Sequence, residues 1–249
     1  PGVDTDRFDP EKARADERAL DLLAEHLGRD REEIARAPLI TEISRTAPTK
    51  RKGLLIRAFA QVRKEIPNAL LAVTIDRTSE SLYRELTGLV EDLGLASSVA
   101  VLGSIWDFVP SLYGHSAVYC TPSIMEGFGM SIQEAAACRV PAVASSRVPF
   151  ATEYLMGDNP AREQQSDGST IRIGDGAIVV PPDNVEATAR ALVRILTNTE
   201  LRARMGERAY RITVPAFTWR EAARTFLERI DLPVPKHGVE HGGRRSQQS

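Results

Sequence analysis

The chain has 249 residues, of which 42% are hydrophobic and 27% charged, with a formal net charge of −2. That length supplies a full-sized core, and so even a charge balance excludes the basic surface that non-specific nucleic-acid binding needs. No stretch nears the roughly 20 consecutive apolar residues that span a bilayer, and two cysteines make no disulfide framework, so a reduced, cytoplasmic setting is expected.

Residues 1–10 (PGVDTDRFDP) are rich in turn formers, and no initiator Met opens the chain. Residues 11–36 place Leu20, Leu23, Leu27 and Ile34 near helical spacing, which predicts one or two helices broken at Gly28. Residues 1–38 are therefore expected to be a linker with a helical lead-in.

A regular alternation follows. Short apolar runs at 39–44 (LITEIS), 69–75 (ALLAVTI), 99–103 (VAVLG), 116–121 (SAVYCT), 141–145 (PAVAS) and 177–181 (AIVVP) read as buried parallel strands. Helical patterns lie between them at 53–65, 79–93, 107–113, 130–138 and 150–156. The expected fold is α/β, a doubly wound parallel, Rossmann-like sheet over 39–231, with ligands at the carboxyl ends of the strands. The polar stretch 157–176 is expected to be a long loop or flexible insertion. Helices are predicted at 184–197, 199–212 and 218–230, and the tail 232–249 is expected to be disordered.

The densest chemistry lies in 116–145. A strand ends at Thr121, and Glu126-Gly127-Phe128-Gly129 leads into a helix carrying Glu134. Glycines let a ligand approach the backbone, and the first N–H groups of the new helix face outward without partners. Glu134 stands among small apolar residues (IQEAAAC), where a carboxylate needs a partner. Both carboxylates can instead be solvated surface charges, as most Glu are. His26, His115, His237 and His241 show no metal-ligand spacing, and Asp4-x-Asp6 sits in a turn-rich segment, so no metal is expected. Cys120 and Cys138 read as small buried residues, and Phe128 as a loop anchor; Ile105 and Trp106 follow the third strand.

The run Glu126-x7-Glu134 (EGFGMSIQE), followed by AAACRVPAVAS, resembles the signature of retaining glycosyltransferases with the GT-B fold. That family includes sucrose-phosphate synthases and glycogen-synthase-like enzymes. The opening GVDTDRF, Ser44-Arg45 with a downstream Lys-Gly, and the run SAVYCTPS resemble the same family in consistent order. The resemblance implies the C-terminal, donor-binding half of a GT-B enzyme. Arg45 and a Lys, either Lys50 or Lys52, would hold the donor diphosphate. Glu126 would orient the hexose, with Gly127, Phe128, Gly129 and Met130 beside the sugar and phosphates. Glu134 would take the ribose hydroxyls. The donor would be UDP-glucose or a similar nucleotide sugar, with no further cofactor and a sugar or sugar-phosphate acceptor. The opening Pro-Gly would then be an interdomain linker, and transfer would need an N-terminal domain outside this chain.

Two departures stand out. Arg139 replaces a family Gly, and Ser146-Arg147-Val148-Pro149-Phe150 replaces a Gly-Gly loop over the donor, where Pro149 offers no N–H. The second departure keeps an alternative open: a non-catalytic nucleotide or nucleotide-sugar binding module of the same fold.

Overall fold

The computed structural model describes residues 2–230; the tail expected over 232–249 lies outside the described residues. Three helices precede the sheet: α1 (Pro10–Ala15), α2 (Arg18–Leu27) and α3 (Arg31–Arg36). Asp9 caps α1 by accepting from the Glu11 and Lys12 amides, and Pro10 presets its first turn. Gly28 closes α2 in the left-handed conformation (φ +59°), so the expected break falls where the glycine stands.

The repeating part follows as β1 (Leu39–Glu42), α4 (Lys52–Glu65), β2 (Leu70–Thr74), α5 (Glu80–Asp92), β3 (Val99–Leu102), α6 (Val109–His115), β4 (Val118–Thr121), α7 (Met130–Ala137), β5 (Ala142–Ser145) and α8 (Pro149–Glu153). A hairpin, β6 (Ala161–Gln164) and β7 (Thr170–Ile173), leads to β8 (Ala177–Val180), and α9 (Val185–Thr197), α10 (Thr199–Ala216) and α11 (Trp219–Arg229) close the described chain.

The sheet order is β3-β2-β1-β4-β5-β8-β7-β6. Its first six strands are parallel, and the order reverses between β1 and β4. This is the doubly wound fold expected, and such a reversal opens a crevice at the strand ends. Successive residues face opposite layers. Leu39, Leu70, Ala72, Tyr119 and Ala144 pack on one side with α1, α2, α6 and α7, whereas Ile40, Leu71, Val73, Val118 and Val143 pack on the other with α4 and α9.

Two regions differ from expectation. The segment read as linker is packed: Val3, Phe8, Ala13, Leu20 and Leu23 are buried in the core. The Val3 amide donates to the Phe217 carbonyl (2.7 Å), and a Cβ on Gly114 would lie 2.1 Å from the Ala13 carbonyl oxygen, so α1 and α6 touch backbone to backbone. The polar stretch 157–176 contains the β6–β7 hairpin, paired antiparallel from Ala161↔Ile173 to Gln164↔Thr170. Its strands lie at the sheet edge with Ile171 their only buried residue, so they lack the apolar run of a central strand. Gly168 (φ +80°) makes the turn.

Candidate functional site

The chain leaves β1 through Ser44 and Arg45, makes a single 3₁₀ turn at Pro48–Lys50, and enters α4 after Arg51. Leaving β4 it forms the Glu126 loop. These two loops flank the reversal of strand order and are bonded to each other. The Thr49 carbonyl accepts from the Ser123 hydroxyl (3.1 Å) and the Ile124 amide (2.9 Å). That clamp sets Lys50 against Glu126: Nζ lies 2.5 Å from Oε1, with the side chains 11% and 17% exposed. Residues 76 apart in sequence thus form one partly sheltered ion pair.

Lys52 is elsewhere. Its side chain is 1% exposed, and Nζ lies within bonding distance of Glu42 Oε2 (2.7 Å), the Ser44 carbonyl (2.9 Å), Thr74 Oγ1 (3.1 Å) and the Thr74 carbonyl. An ammonium with three protons so engaged has none left for a phosphate. This corrects the expectation that placed Lys52 among the diphosphate ligands and leaves Lys50 as the lysine facing the site. Glu42, its partner, was missed. It stands inside an apolar strand pattern, and a buried carboxylate there demands an opposite charge.

At the start of α7, Gly129 adopts φ +104°, and a Cβ there would meet Ile132 Cγ2 at 2.9 Å and Val148 Cγ1 at 3.1 Å. Gly127 has open space around it, so no steric demand fixes it. The Phe128 ring packs against Phe150 (5.4 Å), Tyr154 (6.0 Å) and Phe217 (6.1 Å), and its carbonyl accepts from the Phe150 amide. Phe128 is therefore an anchor that holds the loop. No side chain caps α7, and the N–H groups of Met130, Ser131 and Ile132 find no acceptor among the described residues. Their partial positive charge favours an anion at this end.

Arg45, Met130, Ser131 and Glu134 line one cavity of about 690 Å³ with Thr74, Asp76 and Trp106. The Arg45 side chain is exposed and has no hydrogen-bond partner among the described residues. Burial pushes the Glu134 carboxyl up to about 7, against the opposing charge of Arg7. Asp76 goes the other way: hydrogen bonds from Thr78, with further ones from Thr46, hold it down at about 2. Arg7 was missed because its segment read as linker; its guanidinium lies 3.9 Å over the Trp106 ring, at the cavity wall.

A family model described as glycosyl transferases group 1 matches residues 28–212. The chain belongs to this family. The D-inositol 3-phosphate glycosyltransferase of Salinispora arenicola is 30% identical over 245 residues, covering 96% of this chain and 50% of the relative. The GDP-mannose-dependent alpha-(1-6)-phosphatidylinositol monomannoside mannosyltransferase of Mycolicibacterium smegmatis is 28% identical over 239 residues, covering 92% and 54%. Sucrose-phosphate synthase from Thermosynechococcus elongatus shares the fold with a TM-score of 0.71 at 23% identity, covering 92% of this chain and 50% of that one. The chain thus spans about half the length of these relatives.

This group 1 glycosyltransferase domain brings Arg45, Lys50, Glu126, Glu134 and the free amides of α7 to one end of the sheet. Arg147, in the loop that departs from the family's glycines, is exposed just past the end of β5. Among the described residues no helix is long and apolar enough to cross a membrane, and no cluster of three or more His, Cys, Asp or Glu has metal-binding proximity.

Arg139 shows what replaces the other family glycine. It closes α7 at φ +59°, and its guanidinium bridges Glu11 (2.6 Å) and Glu207 (3.1 Å) while lying 4.7 Å from the Tyr210 ring. Left-handed backbone costs roughly 1–2 kcal/mol, and exposed ion pairs return about 0–1 kcal/mol each. Arg139→Gly is therefore expected to shift stability by less than about 1 kcal/mol, or roughly 4 °C in a thermal melt. A larger loss would show that the bridge between α1 and α10 is a main support.

Proposed function

We propose that this chain is the donor-binding half of a retaining hexosyltransferase, acting on a nucleoside diphosphate sugar such as UDP-glucose and a sugar or sugar-phosphate acceptor. The observation that carries the reading is the Lys50–Glu126 pair, clamped through Thr49 beside the uncapped start of α7. Glu126 is paired with Lys50. A donor diphosphate would take Lys50, Arg45 and the α7 amides, and would release Glu126 to accept from hexose hydroxyls. Glu134, more than a helical turn from the glycines, would accept from the ribose hydroxyls.

The reaction follows from charge. As the bond between the sugar C1 and the phosphate oxygen breaks, negative charge grows on the diphosphate, and prepositioned cations stabilise it. The acceptor hydroxyl attacks C1 from the face that the diphosphate leaves, and its proton passes to the departing phosphate oxygen. The new C1–O bond then has the configuration of the old one, without a covalent enzyme intermediate. Glu126 orients the sugar throughout. The facing acceptor site would belong to the other half of the enzyme.

The names of the relatives support the classes of donor and acceptor. One is GDP-mannose-dependent, and others carry inositol phosphate or sucrose phosphate. A cytoplasmic setting belongs to the same reading, supported by two buried free thiols, Cys120 and Cys138. Calorimetric titration with UDP, GDP and ADP tests it: at least one is expected to bind, and binding by none sinks the proposal. Binding without turnover of any nucleotide sugar by the full-length protein would instead support the non-catalytic module.

A further inference from the structure

Burying two opposite charges side by side is costly, and apolar side chains of the same size often hold a core as well. Glu42 and Lys52 are nonetheless both 1% exposed, at the end of β1 where the strand order reverses. What they do that apolar groups cannot is hold Ser44 beyond the ladder, Lys52 through its carbonyl and Glu42 through its hydroxyl. The β1–β2 register runs from Leu39↔Leu70 to Glu42↔Val73, and Ser44 lies past it. The Ser44 carbonyl accepts from Lys52 Nζ (2.9 Å) and from the Thr74 hydroxyl (2.7 Å). Its amide donates to Thr74 Oγ1 (3.0 Å), and its hydroxyl donates to Glu42. Every polar group of Ser44 is thereby tied to this network.

The next residue is Arg45, exposed and lining the cavity. On its other side Thr46 is held to the turn after β2: its amide donates to Asp76 Oδ2 (3.4 Å), and the Asp76 amide donates to its Oγ1 (2.8 Å). The arginine thus projects from a single backbone position pinned before and after it. A charged group aimed at a developing charge is effective only when its direction is fixed in advance.

We propose that Glu42 and Lys52 are positioning residues: their buried ion pair, acting through Ser44 and Thr74, fixes the direction in which Arg45 enters the donor cavity. The inference rests on the donor-site reading for what Arg45 contacts, but its structural half stands on the network alone.

The test uses the full chain, with UDP, GDP and ADP titrated against their nucleosides, and amide exchange read at Ser44 and Thr46. The double variant Glu42→Met/Lys52→Met removes both charges together. It is expected to fold, to lose protection at both amides, and to lose about tenfold of its preference for diphosphate over nucleoside. A folded double variant with wild-type exchange and preference overturns the proposal, since a merely structural pair would leave the preference unmoved. Should that variant not fold, Thr74→Val carries the test, because it keeps both charges. The same fall in preference and in Thr46 protection supports the proposal, and no change in either overturns it. Were the wild type to bind none of the three diphosphates, the donor-site reading would fall, and exchange at Thr46 alone would decide the positioning role.

Discussion

Replacing Lys50 by Met is expected to lower kcat of the full-length protein by two to three orders of magnitude, about 3–4 kcal/mol of barrier, with the melting temperature changed by a few degrees at most. Replacing Lys52 by Met is expected first to lower the stability of the fold. Lys50 lies beside Glu126 at the open end of the sheet, where both side chains keep some contact with solvent. In the proposed reaction its loss would remove a cation from the leaving diphosphate, while Glu126 can still be hydrated. Lys52 has no such relief. Its removal leaves Glu42, 1% exposed, without a counter-charge, and breaking a buried pair costs about 3–5 kcal/mol. For a domain of this size that is roughly 10 °C. Steady-state turnover and thermal melts on both variants separate the two roles. Full turnover by Lys50→Met would remove it from the reaction, and an unchanged melt for Lys52→Met would mean that Glu42 finds another partner.

Position in sequence does not separate these two lysines, because each follows Arg45 within a few residues. The difference arises from the 3₁₀ turn at Pro48–Lys50 and the left-handed Arg51 (φ 54°), which send Lys50 towards the Glu126 loop and turn Lys52 under the sheet. Neither is a local preference that composition displays. The parallel strands were legible because both of their faces are buried, so each leaves an apolar run such as ALLAVTI. The β6–β7 hairpin was not, because an edge strand with exposed Arg162 and Gln164 reads as loop. That Glu126 and Gly129 lie in the loop from β4 to α7, with Glu134 inside α7, was legible from the apolar run that ends at Thr121 and the glycines after it. Arg7 was not, because what makes it part of the cavity is the pairing of Val3 with Thr218, a contact between residues more than 200 positions apart. The same long-range packing turned an expected linker into core.

Glu134→Gln is expected to make the ligand-free protein more stable and the donor site worse, with a pH dependence that identifies the cause. Burial raises the Glu134 carboxyl to about 7 from an ordinary value of 4.5. The folded chain therefore holds this proton more tightly than the unfolded chain. The favourable contribution is fully present below about pH 4.5 and is lost as pH rises through 7, so stability falls across that window. The shift corresponds to about 3 kcal/mol at most. Glutamine has no charge to bury, so the variant should match the wild type near pH 4.5 and exceed it by about 2–3 kcal/mol at pH 8, measured by denaturant unfolding at each pH. Nucleotide binding should move the opposite way. In the proposed donor site ribose hydroxyls would donate to the ionised carboxylate, so wild-type affinity should fall about tenfold from pH 8 to pH 6 as the proton must first leave. The glutamine variant should bind about 10- to 100-fold more weakly at pH 8, the loss of charge-assisted hydrogen bonds, and should lack that part of the pH dependence. Protonation of the diphosphate itself is common to both proteins, so the difference between their pH profiles isolates Glu134. Parallel profiles would place the carboxyl outside the nucleotide contact, and equal stability at pH 8 would mean that its burial is relieved by water in the cavity. A group that costs the empty domain stability and contributes only when a diol arrives is one whose burial serves binding, since the fold alone would be better served by an amide.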